Sequence, residues 1–392
     1  MIARTHRPIR PRSRLPAILL TVAFAATACT GGPSATASAR PSAPPVASPS
    51  ATPLAATPAP TTMPSPTPTP APTADPLPSA GSWASVAANG DKPSRREDAT
   101  WTVDPDAGTA WLFGGRSGGA TRGDLWAFDL ASDTWSRIVP AGSAPAPRFG
   151  HDATWVPGRG LIIFGGQADA TTFFDDIWQF DPSTLKWTKL ATRGAVPKAR
   201  YGSCADVGPD GRLWVSHGFT EDGTRFADTK AYDFYTGRWT DLTPAGTVPV
   251  ARCLHSCWWT ADGRFALYAG QTTGVEALGD LWVLTPGAGD TPGTWERAAV
   301  ELPPGRNLYA LTRFRETVVV IGGRGLGSTY LDDVYVVDPG TLEFQPIALA
   351  GSGPSGRGGA ALIDDPDRGR LLMFGGKTAA GPLADLWALT LR

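Results

Sequence analysis

The sequence predicts an all-β protein whose folded part is a six-bladed β-propeller, and three observations carry the prediction. A unit of about 52 residues recurs six times between residue 81 and the end of the 392-residue chain. Each unit holds short apolar or alternating runs bounded by Gly, Pro and Asp, and none sustains a 3.6-residue apolar stripe. A single small sheet of this kind leaves both faces wet, so the units must stack on one another, and six sheets stacked around an axis close into a propeller.

The chain divides into three parts. Arg4, Arg7, Arg10, Arg12 and Arg14 precede an apolar run from Leu15 to Ala28, too short for a bilayer span of about 20 residues. The pattern reads as an export signal over residues 1–28, ending Ala26-Thr27-Ala28-Cys29. This ending resembles a bacterial lipobox. The resemblance implies acylation of Cys29 and a lipoprotein on the outer face of the cell membrane; the alternative is plain secretion. Residues 29–80 form a Pro/Ala/Ser/Thr-rich segment with 15 of the 38 prolines and no aromatic residue, a composition that reads as a disordered tether. Residues 81–392 hold all 15 Trp.

Charge and composition exclude several classes. The whole chain is −1 and its first 80 residues carry six Arg and one Asp, so the remainder is −6. An acidic folded part argues against nucleic acid as a partner. Four Cys do not make a disulfide-dense scaffold, and no run is long enough for a polytopic membrane protein.

Every unit contains Pro-x-x-Arg, which contributes Arg96, Arg148, Arg200, Arg252, Arg306 and Arg357. Next comes an apolar run closed by a glycine pair or its remnant: Gly114-Gly115, Gly165-Gly166, His217-Gly218, Ala269-Gly270, Gly322-Gly323 and Gly375-Gly376. Then follows Asp-apolar-aromatic, as in Asp124/Trp126 and Asp176/Trp178, with Asp228-Thr229-Lys230 the departure in the third unit. Trp135, Trp187, Trp239, Trp295 and Phe344 close five units. Leu161–Phe164 reads as a doubly buried strand, and the segments Asp176–Asp181 and Lys186–Leu190 as the two strands outside it. The sixth unit ends before its closing aromatic, whereas Trp83 lies one period before Trp135 without a unit of its own. The strand around Trp83 is therefore expected to complete the last blade.

This order of Arg, diglycine, aromatic and Trp resembles Kelch repeats, of the type in the central domain of galactose oxidase, over about 310 residues. The resemblance implies the propeller fold and leaves function open. It points first to a protein- or glycan-binding module, acting as a monomer at the bacterial cell surface. The alternative is a sugar enzyme akin to the six-bladed bacterial sialic-acid mutarotase. The Tyr–Cys–His constellation of galactose oxidase copper chemistry has no place in this sequence, and no cofactor or metal is expected.

The antiparallel order of a blade puts the start of its first strand and the end of its second on one face of the disc. The six Arg should thus gather at one mouth of the channel with Arg116, Gln167, Phe219, Gln271, Arg324 and Lys377, the residues that follow the glycines. Two roles are open for the Arg ring: bracing of neighbouring loops, or ligand binding. Arg116, Arg324 and Lys377 do not repeat, which makes them the better ligand candidates, and their charge favours an anionic partner such as an acidic glycan or peptide. The loops beyond them differ from blade to blade, as binding loops do. An enzyme would need an acid–base pair here; Glu221 and Asp222 beside Arg225 are the nearest candidates. His151, His217 and His255 stand at repeat positions and read as packing residues. Cys253 and Cys257 lie four apart on one extended strand, about 13 Å at 3.3 Å per residue, and cannot pair with each other. A Cys204–Cys257 disulfide, a Cys204–Cys253 disulfide and three free thiols remain open.

Overall fold

A computed structural model describes residues 76–392. The signal segment, Cys29 and the tether up to residue 75 lie outside the described residues. Six antiparallel sheets form the blades, and among the described residues helix is confined to two 3-10 turns, Leu326–Ser328 and Pro366–Arg368.

Blade 2 shows the plan. Asp152–Val156 is innermost, followed outward by Gly160–Phe164, Ile177–Asp181 and Lys186–Lys189. The apolar second strand is buried along its whole length, as its uninterrupted Leu-Ile-Ile-Phe requires. Phe180 pairs with Trp187 across the outer strands, and their rings lie 5.2 Å apart. Short parallel strands extend three blades at the rim: Asn89–Gly90, Arg193–Gly194 and Ala348–Ala350.

The blades hold together through apolar clusters, one at each of the six interfaces. Each cluster takes the closing aromatic of one blade into the face of the blade before it. Trp187 enters the cluster of blades 1 and 2, and Trp239 that of blades 2 and 3. The cluster between blades 5 and 6 takes Trp83. Strand Ala80–Ser85 runs antiparallel to Leu386–Leu391, with Trp83 opposite Leu389, so the N-terminal strand completes the last blade. The propeller begins a little earlier than the 81 expected from composition. The Ser79 amide donates to the Arg392 carbonyl at 2.9 Å, and Leu77 packs against the same cluster.

Inner strands of blades 3 and 4 are tied by a Cys204–Cys257 disulfide with Cα atoms 5.8 Å apart, and Cys253 is a buried free thiol. Cys204 and Cys257 sit in one interface cluster because adjacent blades pack opposite faces together.

The glycine pair is explained by two unlike backbone states. Its first member lies at φ between 57° and 70°, which His217 and Ala269 also adopt. Its second member lies at φ between 84° and 105°, and all six copies are glycine. At Gly166 an added Cβ would sit 2.8 Å from the His151 Cβ and 2.9 Å from the Phe149 carbonyl oxygen. Gly166→Ala is therefore expected to cost about 3 kcal/mol through strain and overpacking. Gly165→Ala, at a position where blade 4 carries alanine, should cost less than half of that. Urea denaturation of the two variants checks the order.

Candidate functional site: the loop-face mouth of the channel

The six blade arginines are exposed by no more than 4% and use their donors alike. In blade 2, Arg148 Nε donates to the Ala146 carbonyl at 3.1 Å and Nη1 to the Gly165 carbonyl at 2.9 Å. The two Nη atoms also grip the Asp176 carboxylate at 2.7 and 3.3 Å. The same fork joins Arg96 to Asp124, Arg200 to Asp228, Arg252 to Asp280, Arg306 to Asp333 and Arg357 to Asp385. The Arg ring thus braces the fold, and its guanidinium groups are not presented to a ligand. The aspartate of the Asp-apolar-aromatic motif is the partner, and its aromatic explains itself. The Trp178 indole N–H donates to Asp176 at 2.8 Å, and Trp126, Trp282 and Trp387 do the same in their blades. Blade 3 keeps the brace without the indole, with the Lys230 ammonium 3.8 Å from Asp228. These contacts hold the aspartates Asp124, Asp176, Asp228, Asp280 and Asp385 below the usual carboxylate range against the opposing effect of burial.

Two closed circuits of backbone hydrogen bonds pass from blade to blade around this face. The second glycine of each pair donates to the carbonyl of the next blade's arginine, from Gly115 to Arg148 and so on round to Gly376 and Arg96, at 2.8–2.9 Å. Nearer the axis, Gly150 donates to Asp98, Gly202 to Gly150, Leu254 to Gly202, Leu308 to Leu254, Gly359 to Leu308 and Asp98 to Gly359. All six residues of this inner circuit have φ between 53° and 64°. The mouth is therefore a rigid frame.

The frame brings the residues that follow the glycines to the mouth, each bridged to the residue after a blade arginine: Arg116 to Glu97, Gln167 to Phe149, Phe219 to Tyr201, Gln271 to Cys253, Arg324 to Asn307 and Lys377 to Gly358. The charge there is not free as the sequence suggested. Arg116 lies 3.3 Å from Glu97 and 3.2 Å from Asp98, and Lys377 lies 3.4 Å from Glu97. Burial pushes the Asp98 carboxyl up to about 6, with Arg116 opposing and Glu97 adding to the shift. Arg324 bonds to the Ser328 hydroxyl. Arg225 reaches Thr273 Oγ1 at 3.0 Å, and neither it nor Arg324 forms an ion pair among the described residues.

Blades 1 to 3 add an aromatic stripe. The Arg116 guanidinium stands 4.4 Å from the Phe149 ring centre, Phe149 packs on Tyr201, Tyr201 on Phe219 and Phe219 on Phe173. Across the mouth stand Cys253, Asn307 and Gly358. Phe219 was placed at the mouth from the sequence, whereas Glu97, Asp98, Phe149 and Tyr201 were missed, although a signal was present: the residue directly after each blade arginine differs in every unit.

Glu221 and Asp222 do not form an acid–base pair. Both are exposed, and hydrogen bonds from Thr220 and Thr224 lower their pKa values, so neither is held protonated at neutral pH. His151, His217 and His255 are buried and uncharged. Burial and Arg148 push His151 down to about 3 while it meets the Thr100 hydroxyl at 2.8 Å; burial also drives His217 to about 3 and His255 well below its ordinary value.

Comparison with known proteins agrees with this architecture. The family model KLHDC2/KLHL20/DRC7 Kelch-repeats domain matches residues 78–270. An F-box/kelch-repeat protein of Arabidopsis thaliana is 30% identical over 275 residues, 64% of this chain and 56% of that protein. Kelch domain-containing protein 3 of Bos taurus is 28% identical over 260 residues, 61% of this chain and 65% of the relative. Rab9 effector protein with kelch motifs of Xenopus laevis is 32% identical over 209 residues, 52% of this chain and 57% of the relative. The chain thus spans about half to two thirds of the length of these relatives. With six blades, six Arg–Asp braces and six glycine-closed second strands, the folded part of this chain is a six-bladed β-propeller, of which residues 78–270 match the Kelch-repeats model.

Proposed function

We propose that the propeller is a protein-binding module whose partner sits on the loop face, and that the chain displays it outside the cytoplasm on a lipid-anchored tether. The observation that carries the first part is the contrast within that face. An invariant buried frame holds six loops that share no sequence, and their exposed tips surround a half-aromatic, half-polar mouth. A rigid scaffold with unlike loops suits recognition of one partner. Phe173, Phe219 and Arg225 are the anchor residues, because aromatic and arginine side chains dominate binding energy at interfaces. Arg225 and Arg324 leave a bias toward acidic partners, a peptide or an acidic glycan, while Arg116 and Lys377 are already balanced by carboxylates. A relative described as an effector of another protein fits a binding role. Export and anchoring rest on Arg4 to Cys29 and the proline-rich segment.

The test compares the full chain with a Phe173→Ala/Phe219→Ala/Arg225→Ala variant in capture from envelope extract and on a glycan array. Loss of the protein captured by the native chain, with melting changed by only a few degrees, is expected. Equal capture by both overturns the assignment of the face, and retention of glycans alone overturns the protein partner. In cell fractionation, Cys29→Ser should move the chain from membrane to soluble fractions.

A further inference from the structure

The second mouth of the channel, on the face of the hairpins between first and second strands, has a different chemistry. A cavity of about 580 Å³ opens there, lined by Trp101, Trp155, Trp258, Asp206, Arg313 and Asp364. It shares Ala153, Ala205 and Leu311 with an inner compartment of about 280 Å³, lined by Thr100, His151, Asp152, Ser203 and His255. The outer part is in the size range of small-molecule sites and mostly apolar. The inner part is polar and rich in acceptors.

Asp152 is the unusual group. Its Oδ2 accepts a hydrogen bond from the Ser203 hydroxyl at 2.5 Å, the Ala205 backbone amide also acts on it, and the carboxylate forms no ion pair among the described residues. Arg200 is the nearest cation to act on it, and Asp228 already holds that guanidinium. Burial pushes the Asp152 carboxyl up to about 7. A carboxylate that faces a cavity without a cationic partner is costly unless something in the cavity satisfies it. At the rim, Asp364 Oδ1 is also unpartnered, with Arg315 and Asp365 acting on it. Arg313 is committed to the Trp259 carbonyl at 2.8 Å and stands 3.5 Å from Asp206. Asp152 and the rim carboxylates Asp206 and Asp364 are set against Arg313 and Arg315, and the field in the cavity favours a cation.

We propose that the channel is a ligand site entered from the hairpin face, taking a small molecule with an aromatic body and a primary ammonium head. The body packs against Trp155 and the apolar rim, and the head donates to Asp152, with the Ser203 hydroxyl as a further partner. This site is separate from the loop face, and either can stand without the other.

Isothermal titration of the full chain at pH 8 tests it with tryptamine and its neutral counterpart tryptophol. Saturable one-to-one binding of tryptamine is expected, with tryptophol about tenfold weaker or worse. Asp152→Asn should remove that difference, while its melting temperature at pH 8 is unchanged or higher because a buried unpaired charge is gone. Trp155→Ala should weaken both compounds. Equal affinity of the two compounds for the native chain overturns the proposal without recourse to any variant. A difference that survives in a folded Asp152→Asn protein overturns it as well.

Discussion

Arg148→Ala is expected to destabilise the propeller by about 3–5 kcal/mol, because it leaves the largely buried Asp176 with only the Trp178 indole and an exposed Lys189 at 3.9 Å, and frees the Gly165 carbonyl. A domain has on the order of 5–15 kcal/mol in total, so one such change takes a large share. Arg148→Lys should be nearly as harmful. A lysine offers no planar fork to hold two carbonyls and a carboxylate together. Thermal melting reads the effect, and a fall on the order of 10 °C is expected. A shift under about 2 °C would show that the bracing reading is wrong. The same variant should also disturb loop-face binding, since the brace fixes the base of the loop.

Trp83→Ala carries the other large effect. The indole sits in the cluster between blades 5 and 6 with Val336, Ile347, Leu371 and Leu389. Its removal should cost about 3–5 kcal/mol. Deleting residues 76–86 should go further, because it also removes the five-residue pairing with Leu386–Leu391 and opens the ring. Dynamic light scattering and melting of the deleted protein should show aggregation and early unfolding. A deletion that melts like the full chain would contradict closure by this strand.

These two residues also show what was legible in the sequence. Trp83 was placed by counting alone, because a strict repeat makes an aromatic without its unit conspicuous. The arginines were found by the same means, and their spacing to the aspartates is 28 residues in five blades and 27 in the other. What the repeat could not reveal were contacts between unlike positions of different blades. Arg116 and Lys377 come from blades 1 and 6, and both meet Glu97, which reads in Arg95-Arg96-Glu97-Asp98 as one more surface charge. The Asp152–Ser203 contact joins blades 2 and 3 through residues offset by one within the repeat, as Thr100–His151 joins blades 1 and 2, and aligning like positions does not bring such residues together. The cysteines were half legible. Strand parity allowed Cys204 to meet either Cys253 or Cys257, and the three-dimensional register puts Cys257 against it.

The central claim is that recognition takes place on the loop face over a rigid frame. Site-specific photo-cross-linking tests it most directly, with a cross-linkable residue at exposed loop-face positions Thr171, Thr224 and Thr273, and at exposed hairpin-face positions Asp106 and Asp367. The account predicts one discrete protein adduct from the three loop-face positions and none from the other two. Adducts confined to Asp106 and Asp367 would contradict it.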